Sequence, residues 1–211
     1  FNGDDIVLSF RVATDVKKTS DEYGGQLLTI LSNNGVNFKE INGGIISSVV
    51  PQMDFTLERM CATYLHIKPL TLAPGLKTGM NLRVDNAREV GADRVVNNVA
   101  GLKKYGAPLI IIDFGTATTF NVLDEKGEFI VGVIAPGTLD SLVNGTAKLP
   151  RVEIERPASV IAKNTVTNMQ AGIVFGFAGL VGYIVKKIKK ELKAENVRTV
   201  ATGGFSEVIV K

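Results

Sequence analysis

Hydrophobic positions recur along this chain with two different periods, and their order predicts an α/β protein. Every second residue from Ile6 to Val12 is apolar, which is the period of a β-strand. Thr19 and Glu22 then have the spacing of a capping box, which predicts a helix to about Leu31. Further strands are predicted at 43–50 and near 70–72, with helical spacing between them. The first part of the chain is therefore predicted to run strand, helix, strand, helix, strand.

The stretch from Leu109 to Phe120 has the strongest strand signal. Its first four residues are aliphatic, which is typical of a strand buried on both faces. Asp113 closes that strand, and Gly115 and Thr116 begin the turn that follows it. Glycine allows a ligand to approach the backbone closely, and the threonine and its neighbours offer hydroxyl and N–H groups to phosphate. The pattern suits phosphate and cation binding, and a plain β-hairpin with an incidental aspartate is the alternative.

The rest of the chain continues the alternation of helices and strands. A helix is predicted from about Val95 to Tyr105, strands to Leu123 and at 128–134, a short helix at 138–146, an extended stretch from 148 to 160, a long helix after Asn164, and a strand at 197–201. Each half begins rich in strands and then alternates. The order predicts two α/β units around a cleft, at residues 1–90 and 91–211.

Composition and charge exclude several functional classes. The 211 residues are 45% hydrophobic and carry a net charge of +3, which is too weak and too dispersed to indicate nucleic-acid binding. The basic run at 186–190 is interpreted as a solvated helix face. The single cysteine, Cys61, fits a reducing cytoplasm and a buried apolar position. We recognise no signal peptide and no apolar run long enough to span a membrane, so a cytoplasmic protein is predicted.

Four further residues are chemical candidates on local grounds. Asp93 begins a predicted helix and could accept a proton from a substrate hydroxyl, or it could simply cap the helix. Arg94 could hold an anionic group of the substrate, or it could form a surface ion pair with Glu89. Gly203 and Gly204, at the end of a predicted strand, permit close approach of a flat ligand such as adenine, or they form only a tight turn.

Several motifs occur together in one order, and that order resembles type III pantothenate kinase. The two most specific are Gly91-Ala92-Asp93-Arg94 and the stretch from Asp113 to Thr119. The others are Ile46 to Pro51, Ile134 to Gly137, Thr146 to Pro150, Lys163 to Thr165 and Thr202 to Gly204. Together they extend over most of the chain.

The resemblance implies an actin-like ATPase fold, with two ribonuclease-H-like halves around a nucleotide cleft. It implies transfer of the γ-phosphoryl group of ATP to the hydroxyl of pantothenate, in the synthesis of coenzyme A. Asp93 matches the family's general base, and Asp113 matches its ligand for a monovalent cation, potassium or ammonium. The remaining matches are the pantothenate contacts Gly91, Ala92, Arg94 and Thr165, and the ATP-phosphate contact Thr116 beside Gly115. The resemblance also implies that Mg²⁺ is a cofactor and that the protein is a homodimer. It implies no binding to nucleic acid or membrane.

The sequence departs from this family in three places. The family's first strand and its Asp-x-Gly-Asn-Thr phosphate loop, whose aspartate helps to bind magnesium, would precede Phe1. The stretch from Pro136 to Thr146 is a few residues short, and the last strand and helix after Gly204 are largely missing. We therefore expect missing segments at both termini. Two other functions stay open at this stage, a regulatory homologue of the same fold without catalysis (a transcription accessory or ligand-sensing protein) and a related kinase for an acetate-like or sugar substrate.

Overall fold

The computed structural model describes residues 1–72, 76–137, 152–194 and 196–210, and its contacts divide the chain into two compact units. The first unit comprises Phe1–Leu76 and Gly91–Asp93, and the second comprises Lys77–Val90 and Arg94–Lys211. Both contain helices and strands, so the predicted α/β class is confirmed. The predicted helix at 138–146 and the first residues of the extended stretch from 148 lie outside the described residues.

The first unit is built on two helices. Helix α1 (Ser20–Asn33) begins at the predicted capping box, in which the Thr19 hydroxyl accepts from the Glu22 N–H at 3.2 Å and the Glu22 carboxylate accepts from the Thr19 N–H at 2.8 Å. The hydrogen bonds that the Glu22 carboxylate accepts from the Thr19 N–H and, second, from the Thr19 hydroxyl lower the pKa of Glu22. Helix α2 (Pro51–Met60) continues into one π-helical turn at Cys61–Leu65.

Cys61 is buried in this unit, as predicted, and burial raises the pKa of its thiol.

The strands of the first unit are shorter than predicted. Ile6–Val12 has no regular secondary structure, and the strand expected at 43–50 is reduced to β1 (Ile45–Ile46), which pairs in parallel with β2 (Leu70–Thr71). A strand is stabilised by hydrogen bonds to a neighbouring strand. Among the described residues no strand pairs with Ile6–Val12, and Ile6 and Phe10 are exposed.

The second unit contains a four-stranded mixed sheet. Its strands are β3 (Leu109–Phe114), β4 (Ala117–Leu123), β5 (Phe129–Pro136) and β6 (Arg198–Gly203), in the order β5-β4-β3-β6. The strands β3, β4 and β5 are antiparallel to their neighbours in the chain, and β6 pairs with β3 in parallel. Because β3 has a neighbour on each side and packing on both faces, its continuous aliphatic run is buried, as predicted.

Helices cover both faces of this sheet. Helix α3 (Ala92–Tyr105) contributes Leu102 and Tyr105 to a cluster with Leu109 and Ile111 on one face. Helix α4 (Thr165–Leu192) packs on the other face, against Ile110, Ile112, Phe114 and Phe120. A short helix, α5 (Ser206–Val210), follows β6. Odd and even residues of β3 thus point to opposite helices, as the period of a strand requires.

Helix α4 corrects one prediction from the sequence. With 28 residues it is long and apolar enough to cross a membrane by length and composition, whereas no run of that length was predicted. Core helices meet the same criterion. Phe177, Leu180 and Ile184 pack against the cluster that contains Ile110, and this contact favours a core helix.

Candidate active site

Asp113 lies near the carboxyl end of the central strand of the sheet. It pairs with Thr119 on β4 and with Thr202 on β6, so two threonines flank it on neighbouring strands. Its side chain is half-buried, and its Oδ2 accepts a hydrogen bond of 2.8 Å from the Nδ2 of Asn97 on α3. The carboxylate is thus fixed by a neutral donor.

Gly203 packs against the other oxygen of this carboxylate. Its φ of +90° is in the region that favours glycine, and a Cβ placed there would lie 2.7 Å from the Oδ1 of Asp113 and 2.6 Å from the carbonyl oxygen of Phe114. The structure therefore gives a reason for this glycine that the sequence did not suggest. Gly204 follows it, exposed, just before α5.

Gly115 and Thr116 form the exposed two-residue turn between β3 and β4. The N–H of Gly115 donates to the carbonyl oxygen of Ala117 at 3.2 Å, which closes the turn. Behind it, a Cβ on Gly137 would overlap the carbonyl of Thr116, so the backbones approach there more closely than any other residue would permit. Gly137 thus packs against the backbone of the turn, while the exposed side chain of Thr116 can contact a ligand.

Arg94 is fixed on two sides within the second unit. Its Nε donates to the Oδ1 of Asn121 on β4 at 2.6 Å, and its guanidinium carbon lies 5.2 Å from the centre of the Phe129 ring. Asn121 is fully buried. An arginine oriented in this way presents its planar fork in a defined direction, which suits recognition of a carboxylate or phosphate.

Asp93, Gly91 and Ala92 belong to the first unit. Asp93 is exposed in the first turn of α3, where a negative charge is favourable to the helix dipole. A Cβ on Gly91 would lie 2.5 Å from the Oδ1 of Asp93 and 3.8 Å from the side chain of Val49. The absence of a side chain at Gly91 thus leaves room for the Asp93 carboxylate.

Thr165, the remaining predicted contact, is the exposed first residue of α4. Asn164 caps this helix by accepting from the Thr167 N–H at 2.9 Å. Within the second unit, the structure brings Asp113 and Gly203 together and places the Gly115–Thr116 turn next to them in the chain. None of the hydrogen bonds among the described residues joins Thr165 to that group.

Two partners in the site were not found by reading the sequence. Asn97 and Asn121 hold Asp113 and Arg94, respectively. The sequence offered a signal only for Asn121, which is a polar residue between Phe120 and Val122 in a predicted strand, whereas Asn97 is followed by Asn98. That signal gives no partner, because the partner depends on how α3 packs against the sheet.

The described residues contain no group of three or more His, Cys, Asp and Glu side chains suited to a metal ion. Separately, the first unit contains a largely apolar cavity of about 430 Å³, lined in part by Tyr23, Leu27, Val50 and Met53. None of the predicted site residues lines this cavity, so the candidate site is the group around Asp113.

Comparison with known proteins identifies one family. The model of the type III pantothenate kinase family matches residues 1–187. A type III pantothenate kinase of Bacillus cytotoxicus is 50% identical over 205 residues, which cover 96% of this chain and 78% of that protein. A solved structure from Campylobacter jejuni, of a conserved protein described as a candidate Baf family transcriptional activator, matches with a TM-score of 0.49 and 14% identity, over 82% of this chain and 73% of that one.

Proposed function

This chain belongs to the type III pantothenate kinase family, and we propose that it transfers the γ-phosphoryl group of ATP to the hydroxyl of pantothenate, with Asp93 as the general base. The product is 4′-phosphopantothenate, an intermediate of coenzyme A synthesis. The observation that supports this assignment most directly is the strand end at Asp113, where an oriented carboxylate stands beside the rigid Gly115–Thr116 turn. That is an arrangement suited to phosphates and their counter-ions.

Asp93 is proposed to take the proton of the pantothenate hydroxyl as the phosphoryl group is transferred. Phosphoryl transfer depends mainly on positioning and on compensating charge, so a correctly oriented carboxylate is sufficient for this role. Its exposed position supports access of a substrate hydroxyl, and the missing side chain at Gly91 leaves room for its carboxylate. Gly91, Ala92 and Thr165 are proposed as further pantothenate contacts.

Arg94 is proposed to bind the pantothenate carboxylate. Its Nε donates a hydrogen bond to Asn121, and its guanidinium lies over the Phe129 ring. These two contacts fix the orientation of the guanidinium. A fixed guanidinium loses little side-chain entropy when a carboxylate binds.

The ATP phosphates are proposed to bind at the turn after β3. The hydroxyl of Thr116, beside Gly115, would hold a phosphate oxygen, while the exposed Gly203 and Gly204 would lie against the adenine ring. The close packing of Gly137 against the carbonyl of Thr116 supports this role, because it restrains the backbone that carries the Thr116 hydroxyl.

The residues around Asp113 fit a monovalent cation. The Asp113 carboxylate lies between the threonines of β4 and β6 and accepts a hydrogen bond from the Asn97 amide, and carboxylate and hydroxyl oxygens are suitable ligands for such an ion. Asp113 would hold potassium or ammonium, whose positive charge would offset the phosphate charge. Mg²⁺ is proposed to bind together with the phosphates of ATP.

The proposed architecture is the actin-like ATPase fold, with two ribonuclease-H-like halves. Three antiparallel strands, a long helix and a fourth strand parallel to the first, as in the second unit, support one such half. We further propose a cytoplasmic homodimer that binds neither nucleic acid nor membrane.

A substrate-dependent ADP release assay tests this function. The full-length protein is expected to release ADP only when pantothenate is added, and mass spectrometry is expected to detect one phosphate added to pantothenate. Acetate and simple sugars serve as controls for a related kinase. ADP release with one of these substrates and none with pantothenate would overturn the assignment.

A further inference from the structure

Asn98 is a polar side chain that is fully buried where α3 packs against the sheet. Its exposed fraction is 0%, and neither its Oδ1 nor its Nδ2 has a hydrogen-bond partner among the described residues. A buried amide without partners costs free energy, and native proteins nearly always pair such groups with protein atoms or with ordered water. Asn98 therefore requires a partner that can both donate and accept a hydrogen bond.

Asn121 on β4 presents a second buried group of this kind. Its Oδ1 accepts the hydrogen bond from the Nε of Arg94, and because a guanidinium N–H can only donate, the orientation of the Asn121 amide is fixed. Its Nδ2 is buried and has no hydrogen-bond partner in the described part of the chain. Asn98 and Asn121 together thus supply three hydrogen-bonding atoms inside the second unit.

The geometry of α3 places these two amides on the same part of the sheet. Arg94, Asn98 and Gly101 follow one another at spacings of four and three residues, so they lie along one face of the helix. The Nε of Arg94 contacts Asn121. A Cβ on Gly101 would lie 2.5 Å from the Cδ1 of Ile111, which is the direct partner of Asn121 in the sheet. Since Asn98 lies between Arg94 and Gly101 on this face, it packs over that pair of residues.

We infer that an internal water molecule lies between α3 and β4, bound by Asn98 and by the Nδ2 of Asn121, and that Asn98 acts through it as a positioning residue for Arg94. A water can donate to the Oδ1 of Asn98 and accept from either amide nitrogen. Buried waters in proteins typically make about three such hydrogen bonds to groups that have no other partner. The water holds Asn121 in the orientation that accepts from Arg94.

The water affects the reaction through Arg94. This step rests on the proposed function, in which Arg94 binds the pantothenate carboxylate. Without the water, the amide of Asn121 is free to rotate, and its Oδ1 no longer faces the Nε of Arg94. Because the guanidinium also lies over the Phe129 ring, its orientation is loosened and its charge stays in the site. The expected effect is therefore a weaker substrate contact without a change in the chemical step.

A high-resolution crystal structure of the full-length protein tests the water directly. It is expected to show a water molecule within hydrogen-bond distance of the side chains of both Asn98 and Asn121. A direct hydrogen bond between the two amides, or the lack of a water beside them, would overturn the inference. This result does not depend on whether the protein phosphorylates pantothenate.

Asn98→Leu tests the same site through stability, because leucine has a similar volume and a good helix propensity but binds no water. The variant leaves the Nδ2 of Asn121 unpaired, so the thermal unfolding midpoint is expected to fall by about 3–10 °C. A midpoint that rises would overturn the inference, since it would show that leucine relieves an unpaired amide. Asn33→Leu, the same change at an exposed position of α1, is the control and is expected to keep the wild-type midpoint.

Steady-state kinetics of Asn98→Leu test the link to Arg94. The pantothenate KM is expected to rise about three- to tenfold, while kcat and the KM for ATP stay unchanged. A merely structural role would lower the unfolding midpoint and leave the pantothenate KM unchanged, and that outcome would overturn the positioning role of Asn98. A wild-type protein that does not phosphorylate pantothenate would instead overturn the proposed function, and the crystallographic result would still decide whether the water is present.

Discussion

Gly203 lies so close to Asp113 that a single methyl group at position 203 would stand 2.7 Å from the carboxylate. This relationship joins the ends of β3 and β6, two strands more than eighty residues apart in the sequence that pair in parallel. The position of the Asp113 carboxylate therefore depends on a glycine that has no side chain and takes no part in the chemistry.

Gly203→Ala is therefore expected to impair both stability and turnover. The new Cβ overlaps Oδ1 and the Phe114 backbone, and the φ of +90° is strained for alanine, so we expect a loss of about 1–3 kcal/mol in the free energy of unfolding. Turnover should fall at least about tenfold because the carboxylate is displaced. Denaturant unfolding and steady-state kinetics measure the two effects.

Gly25→Ala is the control for that substitution, because Gly25 lies in α1 with nothing within 4 Å of its added Cβ. It should keep full activity and should not destabilise the protein. Equal behaviour of the two alanine variants would contradict the role given to Gly203.

Arg94→Lys is expected to weaken pantothenate binding selectively. Lysine keeps the positive charge and loses both the fork and the hydrogen bond from Nε to Asn121, so the pantothenate KM should rise about ten- to a hundredfold while kcat changes little. Arg88→Lys, at an exposed position of the second unit, should leave both constants unchanged. An unchanged pantothenate KM in Arg94→Lys would remove Arg94 from the substrate site.

Thr116→Ala is expected to raise the KM for ATP about tenfold and to leave the pantothenate KM unchanged, because one hydroxyl contact to a phosphate oxygen is lost. Thr29→Ala, in an exposed part of α1, is the matched control. Steady-state kinetics with each substrate varied in turn separates the two constants. A rise in the pantothenate KM alone would place Thr116 at the other substrate.

The thiol of Cys61 is expected to be unreactive in the folded protein. Burial raises its pKa, so the reactive thiolate is depleted below that raised pKa and forms only as the pH rises through it. Labelling with iodoacetamide at pH 8 should be much slower in native buffer than in denaturing urea. Equal rates in the two conditions would show that Cys61 is accessible.

The sequence predicted the elements that are stabilised by contacts within one turn of the chain, and the strand that is buried on both faces. The capping box at Thr19 and Glu22 forms within one turn, and the aliphatic run of β3 is buried whichever elements cover it. The prediction of a strand at Ile6–Val12 was wrong. A strand needs a partner strand, and alternation within one segment does not show whether a partner exists.

The candidate site was predictable to a similar degree. Motif order indicated Asp113, Thr116 and Arg94 as candidates, and their roles stay predictions. Asn97 and Asn121 were missed because their contacts with Asp113 and Arg94 depend on which residues of β3 and β4 face α3, and this follows from register and packing. Their importance is visible only once the sheet is assembled.

Asp93→Asn tests the central proposal most directly, with Asp21→Asn as its control in the first turn of α1. Pantothenate-dependent ADP release is measured at saturating ATP and potassium, with the pantothenate KM determined in parallel. We predict that kcat falls about a hundred- to ten-thousand-fold in Asp93→Asn, while its KM stays within a few-fold and Asp21→Asn remains fully active. Turnover of Asp93→Asn close to that of the wild type would contradict the account.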